Sequence, residues 1–164
     1  MVMDMYGKTH HNPHNAREQR YKKSMNGTNE TVTLSAVRSW NPDEIIELYR
    51  AGGWWEMGAD KSAVPRLLDG SFLVLIAKDE DDNAVGMGRL ISDGASDAYI
   101  QDVVVFQDYR GLGIGGRIVS ALKKLAELYG HSWLGLISAP GKEDFYRRAG
   151  FSAMKDFTPM LKEE

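Results

Sequence analysis

An α/β domain, with a mixed and largely antiparallel sheet flanked by helices, is what this 164-residue sequence predicts. Three observations carry that expectation. β-like runs at 72–77, 84–91 and 98–106 follow one another with only polar turns between them. A glycine-rich turn and a long amphipathic helix then interrupt the strands before another strand at 133–138. The length suits one domain, and 43% hydrophobic with 26% charged residues is an ordinary globular balance.

The elements are read in order. Residues 1–30 are rich in Asn, His, Lys and Arg without a hydrophobic period, and read as a flexible or irregular segment ahead of a domain at 31–164. His10, His11 and His14 cluster there without an acidic partner, so no metal site is expected. Residues 31–38 form a short strand. Asn41-Pro42-Asp43 supplies a cap and a first-turn proline for a helix through 44–50, whose Ile45, Ile46, Leu48 and Tyr49 make a buried stripe. Gly52-Gly53 ends it. A weaker helix at 60–68 contains Pro65.

Residues 72–77 and 84–91 read as a hairpin across an acidic turn, and 98–106 is the most strand-like stretch. A helix is expected at 114–129, with Ile118, Leu122, Leu125 and Ala126 on one face and Gly130 at its stop. A strand at 133–138, a short helix at 142–149 ended by Gly150, and a closing strand at 151–157 complete the order.

Composition excludes several functions. A net charge of −3 offers no global cationic field for nucleic acid. The absence of cysteine rules out thiolate nucleophiles and disulfides within this chain. No apolar run approaches the roughly 20 residues that span a bilayer. The first 30 residues lack the apolar stretch of a secretory signal, so a cytoplasmic protein with no membrane partner is expected.

The informative segment is Val103-Val104-Val105-Phe106-Gln107-Asp108-Tyr109-Arg110-Gly111-Leu112-Gly113-Ile114-Gly115-Gly116. A strand delivers the chain to a turn with four glycines in six residues, and a helix follows at once. Glycines let backbone N–H groups approach an anion, and the helix N-terminus adds unpaired donors and partial positive charge. Arg110 and Arg117 can add charge-assisted contacts. A tight connection alone would need only one or two of these glycines. A P-loop requires Gly-Lys-Ser/Thr, but Gly116 is followed by Arg117 and Ile118. Gly111, Gly113 and Gly116 match GxGxxG literally, yet four residues separate Phe106 from Gly111, and no carboxylate ends the next strand.

The stretch resembles the coenzyme A signature of the GNAT (Gcn5-related N-acetyltransferase) superfamily, Arg/Gln-x-x-Gly-x-Gly/Ala, filled here by Arg110, Gly113 and Gly115. Downstream, Tyr146-Arg147-Arg148-Ala149-Gly150-Phe151 is similar to the family's Tyr-x-x-x-Gly-Phe ending. The resemblance spans roughly 31–157 and implies acetyl-CoA as co-substrate, with no metal. It implies that the backbone of Val103, Val104 and Val105 pairs with the pantetheine arm. Gly111, Leu112, Gly113, Ile114, Gly115 and Gly116 would wrap the pyrophosphate. Tyr146 matches the tyrosine that protonates the departing thiolate; otherwise it is a core tyrosine on a short helix. Asp102, a carboxylate in an apolar strand, is the candidate base for the attacking amine, with Asp93, Asp97 and Glu143 behind it. A structural bond to Arg89 is the alternative for Asp102. Two departures stand out: Phe106-Gln107 replaces a common Asp-Pro, and residues 138–142 lack a frequent cofactor-contacting Asn.

Family acceptor pockets involve the connection after the first helix, where Trp54, Trp55 and Glu56 fall. Two tryptophans could wall an amine and Glu56 attract its charge; one Trp capping the core is the plain alternative. The run Gly88–Gly94 resembles small enzymes of the arylalkylamine acetyltransferase-like group. The reading is therefore acetyl transfer to a primary amine, most simply of a small molecule, by direct attack in a ternary complex. A protein N-terminus or lysine as acceptor, and a non-catalytic acetyl-CoA sensor, are the alternatives. A homodimer is compatible with all three.

Overall fold

A computed structural model describes residues 32–55 and 60–163. The histidine cluster, the rest of the first 31 residues, and Glu56 lie outside the described residues. Five strands form one sheet in the order β1-β2-β3-β4-β5: β1 (Thr33–Val37), β2 (Leu73–Lys78), β3 (Ala84–Ser92), β4 (Asp97–Val105) and β5 (Trp133–Leu136). All neighbours are antiparallel except β4 and β5, which run parallel across a helical crossover. The mixed, mostly antiparallel sheet follows the expectation from sequence.

Among the described residues four α-helices flank it: α1 (Pro42–Gly52), α2 (Ala63–Asp69), α3 (Ile114–Leu128) and α4 (Glu143–Arg148). Asn41 caps α1 by accepting from the Asp43 N–H, and Gly53 ends it in the left-handed conformation at φ 77°. Pro65 is tolerated because it falls in the first turn of α2, where its missing N–H would have had no intrahelical partner.

The sheet is buried on both faces. In β2, Leu73, Leu75 and Ala77 face one cluster, with Ile114, Ile118, Val119, Leu122 and Ala126 of α3. Val74 and Ile76 face the other, with Ile45, Ile46 and Leu48 of α1 and Val64 and Leu68 of α2. This period of two, read against a 3.6-residue stripe on each helix, gives three layers. Each valine, leucine or isoleucine among them contributes about 1.5–3 kcal/mol when fully buried. Helix α3 approaches closely because β3 carries Gly88: a Cβ there would lie 2.7 Å from Ile118 Cγ2.

The expected closing strand at 151–157 is absent, and this stretch is irregular. Asp156 sits at φ 63°, outside extended backbone, and residues 152–157 are exposed, so little apolar burial supports a further strand. The other elements match their predicted bounds within about three residues, the uncertainty normal for helix and strand ends.

Candidate functional site

The site begins with a break in strand pairing. Met87 faces Val104 and Arg89 faces Gln101, so Gly88 on β3 opposes both Asp102 and Val103 on β4. This is a β-bulge, and Asp102 takes φ 53°, a left-handed conformation that Asp tolerates better than most residues. Beyond the bulge β4 parts from β5, whose pairing reaches only Ile100 opposite Leu136. From Gln101 to Val105 the strand is therefore paired on its β3 side only. The wedge opens into a cleft of about 1140 Å³ that Val103, Val104 and Val105 line. Val104 is buried toward the α1 side, while Val103 and Val105 pack toward α3.

A short 3-10 turn, Gln107–Tyr109, carries the chain from β4 into the glycine segment. Arg110 lines the cleft and donates from Nε to the Val105 carbonyl at 3.0 Å, tying the turn to the strand end. Gly111 and Gly113 adopt φ 80° and 76°, which only glycine takes readily. Gly113 is the N-cap of α3 and provides no side-chain cap, so the first-turn N–H groups of Ile114, Gly115 and Gly116 point out of the helix end. A Cβ at Gly111 or Gly116 would meet nothing within 4 Å. Protein packing thus does not require glycine at 116. These features fit a backbone cradle for a pyrophosphate. Arg117 does not join it: its guanidinium reaches back to the Val32 carbonyl at 2.7 Å.

Tyr146, on α4, lines the same cleft and packs edge-on against Phe145 and Phe151, at centroid distances of 4.9 and 6.3 Å. Its hydroxyl has no hydrogen-bond partner among the described residues. No fully buried side-chain polar atom there is unpartnered, so this hydroxyl opens onto the cleft. Burial raises its pKa above the ordinary phenol value, which keeps the proton on and suits a donor.

Asp102 also lines the cleft, but its carboxylate is engaged. Arg89 brings Nη2 and Nε to Oδ2 at 2.5 and 2.6 Å, and the Tyr49 hydroxyl donates to the same oxygen. Arg89 continues from Nη1 to the Ser71 hydroxyl at 2.9 Å and the Leu67 carbonyl at 3.3 Å. The structural bond considered for Asp102 is thus present. Tyr49 was missed as a polar partner: its place in the apolar stripe of α1 announces burial, and nothing local announces a carboxylate 53 residues away. Burial first, and then Asp102, raise the Tyr49 pKa strongly.

Of the tryptophan pair, Trp54 lines the cleft with 47% exposure, while Trp55 packs on the α1-side core. Both contact Tyr49 edge-on, at 5.8 and 6.2 Å between centroids. Tyr99, 45% exposed, is a further aromatic lining residue that the sequence did not single out. Asp93, Asp97 and Glu143 do not line the cleft. Among the described residues no group of three His, Cys, Asp or Glu could hold a metal, and no helix is long and apolar enough to cross a membrane.

Comparison with known proteins points one way. The family model for the acetyltransferase (GNAT) domain matches residues 70–153. An uncharacterized N-acetyltransferase of Porphyra purpurea is 31% identical over 121 residues, covering 73% of this chain and 70% of that protein. A GNAT family acetyltransferase of Streptococcus pneumoniae TIGR4 superposes with a TM-score of 0.67 at 25% identity, over 81% of this chain and 98% of the other. An aminoglycoside acetyltransferase from an uncultured soil metagenomic sample, solved with sisomicin, gives 0.66 at 17% identity, over 82% and 97%. A ribosomal-protein-alanine N-acetyltransferase of Brucella melitensis biovar Abortus 2308 gives 0.64 at 20%, over 81% and 99%. The last two share a fold and differ in acceptor, so the fold leaves the acceptor open.

Proposed function

Because this chain belongs to the GNAT family of N-acetyltransferases, we propose that it moves the acetyl group of acetyl-CoA onto the primary amine of a small molecule, by direct attack in a ternary complex. The carrying observation is that one cleft joins the glycine turn, the Tyr146 hydroxyl and the aromatic rings of Trp54 and Tyr99.

The thioester supplies an activated acyl group. The backbone at Val103–Val105 and the N–H groups of residues 111–116 hold the co-substrate, with Arg110 at the turn. Trp54 and Tyr99 bind the body of the amine, and their faces favour a cationic or apolar group. Attack by the neutral amine nitrogen on the carbonyl carbon breaks the C–S bond. Tyr146 gives its proton to the departing sulfur. The proton released by the amine passes to Asp102, directly or through water. The Arg89 pair favours a second role for Asp102, in which it holds the bulge and a water passes the amine's proton out to bulk solvent. With no cysteine in the chain, no acyl-cysteine intermediate forms here.

Release of free coenzyme A, measured against a panel of arylalkyl and alkyl amines, aminoglycosides and peptides, tests the reading. Turnover with amines is expected. Turnover confined to peptides moves the acceptor to protein, and binding of acetyl-CoA without turnover on any acceptor leaves a sensor. Thermal stabilisation by saturating acetyl-CoA is expected throughout; its absence removes the co-substrate.

A further inference from the structure

Among the described residues three cations line the cleft: Arg110 in the glycine turn, and Lys142 and Arg148 on the wall that α4 makes. The Arg110 Nε is committed to the Val105 carbonyl. Lys142 and Arg148 are exposed and make no ion pair or side-chain hydrogen bond with the described residues. Arg147 behaves differently. It reaches Asp144 at 3.9 Å and does not line the cleft. Arg147 thus pairs loosely on the outer side of the helix, while Arg148 borders the cleft without an ion pair among the described residues.

This wall stands against the first turn of α3. A Cβ at Gly115 would lie 3.4 Å from Phe145, and Arg148 is one helical turn along from Phe145 on the same side. Ser120, one turn beyond Gly116, lines the cleft as well. Among the described residues the lining holds one carboxylate, Asp102, already paired with Arg89. The α4 side of the cleft is thus cationic, without a counterion among the described residues.

Coenzyme A carries three phosphates. The glycine turn offers backbone donors for the two of the pyrophosphate. The third, a phosphomonoester on the ribose 3′ carbon, carries about −1.5 to −2 charge at neutral pH and calls for cationic side chains. We propose that Lys142 and Arg148 form a subsite for this ribose phosphate, so that the protein discriminates coenzyme A from its 3′-dephospho form. The proposal rests on reading the glycine turn as the pyrophosphate cradle.

Calorimetric titration with free coenzyme A and with 3′-dephospho-coenzyme A tests it, on the wild type, the double variant Lys142→Gln/Arg148→Gln and the control Arg147→Gln. The wild type is expected to bind coenzyme A at least roughly tenfold more tightly than the dephospho form, the worth of one charge-assisted contact. The double variant loses that preference while its affinity for the dephospho form stays within about twofold, which also shows it is folded. Arg147→Gln keeps the preference. Equal weakening toward both ligands, an intact preference in the double variant, or the same loss in Arg147→Gln overturns the subsite. A wild type that binds both ligands equally well overturns the subsite alone; one that binds neither overturns the cradle with it.

Discussion

Arg89 on β3 and Asp102 in the β4 bulge are locked together by two contacts to one carboxylate oxygen, at 2.5 and 2.6 Å. Their side chains are only 11% and 20% exposed. The pair bridges the two strands where their register slips, and Tyr49 adds a bond from α1 on the sheet's face. The bulge that opens the cleft is thereby held by charge as well as by the backbone.

Replacing Arg89 with Met strands a largely buried carboxylate, and a loss of about 3 kcal/mol is expected in urea unfolding. Adding Asp102→Asn, which tolerates the left-handed backbone and still accepts from Tyr49, should restore much of it. A double variant no more stable than Arg89→Met would contradict this account of the pair.

Tyr49 makes stability fall at alkaline pH. Its folded pKa lies above that of the unfolded chain, through burial and then Asp102. Its contribution is complete below the unfolded phenol value of about 10 and declines as pH rises beyond it, because the unfolded state ionises first. In Tyr49→Phe, urea midpoints across about pH 9 to 11 should decline less steeply. Parallel declines would count against Tyr49 as the source.

Gly116→Ala separates stability from binding. The new methyl meets nothing and sits in a helix, so stability should rise by about 0.5–1 kcal/mol. The same methyl enters the cleft lining, and coenzyme A affinity should fall roughly tenfold or more. Melting and calorimetry on one sample decide it, and unchanged affinity would remove Gly116 from the cradle.

Tyr146→Phe should lower turnover by about 100-fold or more while acetyl-CoA affinity holds. Burial raises this pKa, so loss of the donor proton in the wild type belongs above the ordinary phenol range near 10, and activity should show no decline from Tyr146 below it. Full turnover in the Phe variant with an identified acceptor would end the acid role.

The adjacent tryptophans should differ. Trp54→Ala is expected to raise the amine KM roughly tenfold with a small effect on folding, as loss of a half-exposed aromatic wall. Trp55→Ala should cost stability, about 2 kcal/mol, since that ring packs on the core. A reversed pattern in steady-state kinetics and melting would exchange the two assignments.

Much of this architecture was legible because its signals are local. Asn41-Pro42 and Gly53 mark the ends of α1, and the glycine run marks the strand-to-helix turn before α3. What escaped depends on distant partners. Residues 151–157 read as a closing strand, but a strand needs a neighbour and extended backbone, and Asp156 has neither. Three successive valines conceal where β4 gains its extra residue, and only the polar Asp102 hints at it. The Tyr49–Asp102 bond and the turning away of Arg117 toward Val32 arise from packing between elements far apart in the chain.

The early end of β5 pairing gives the protein a sheet that a guest can extend. Between Gln101 and Val105 the backbone groups that face away from β3 lack a strand partner, so low local protection is expected of this rim. A ligand with amides along an extended arm can supply those partners. Hydrogen exchange there is expected to gauge occupancy: slow with the guest strand in place and fast without it, while the paired stretch from Asp97 to Ile100 stays protected in both states.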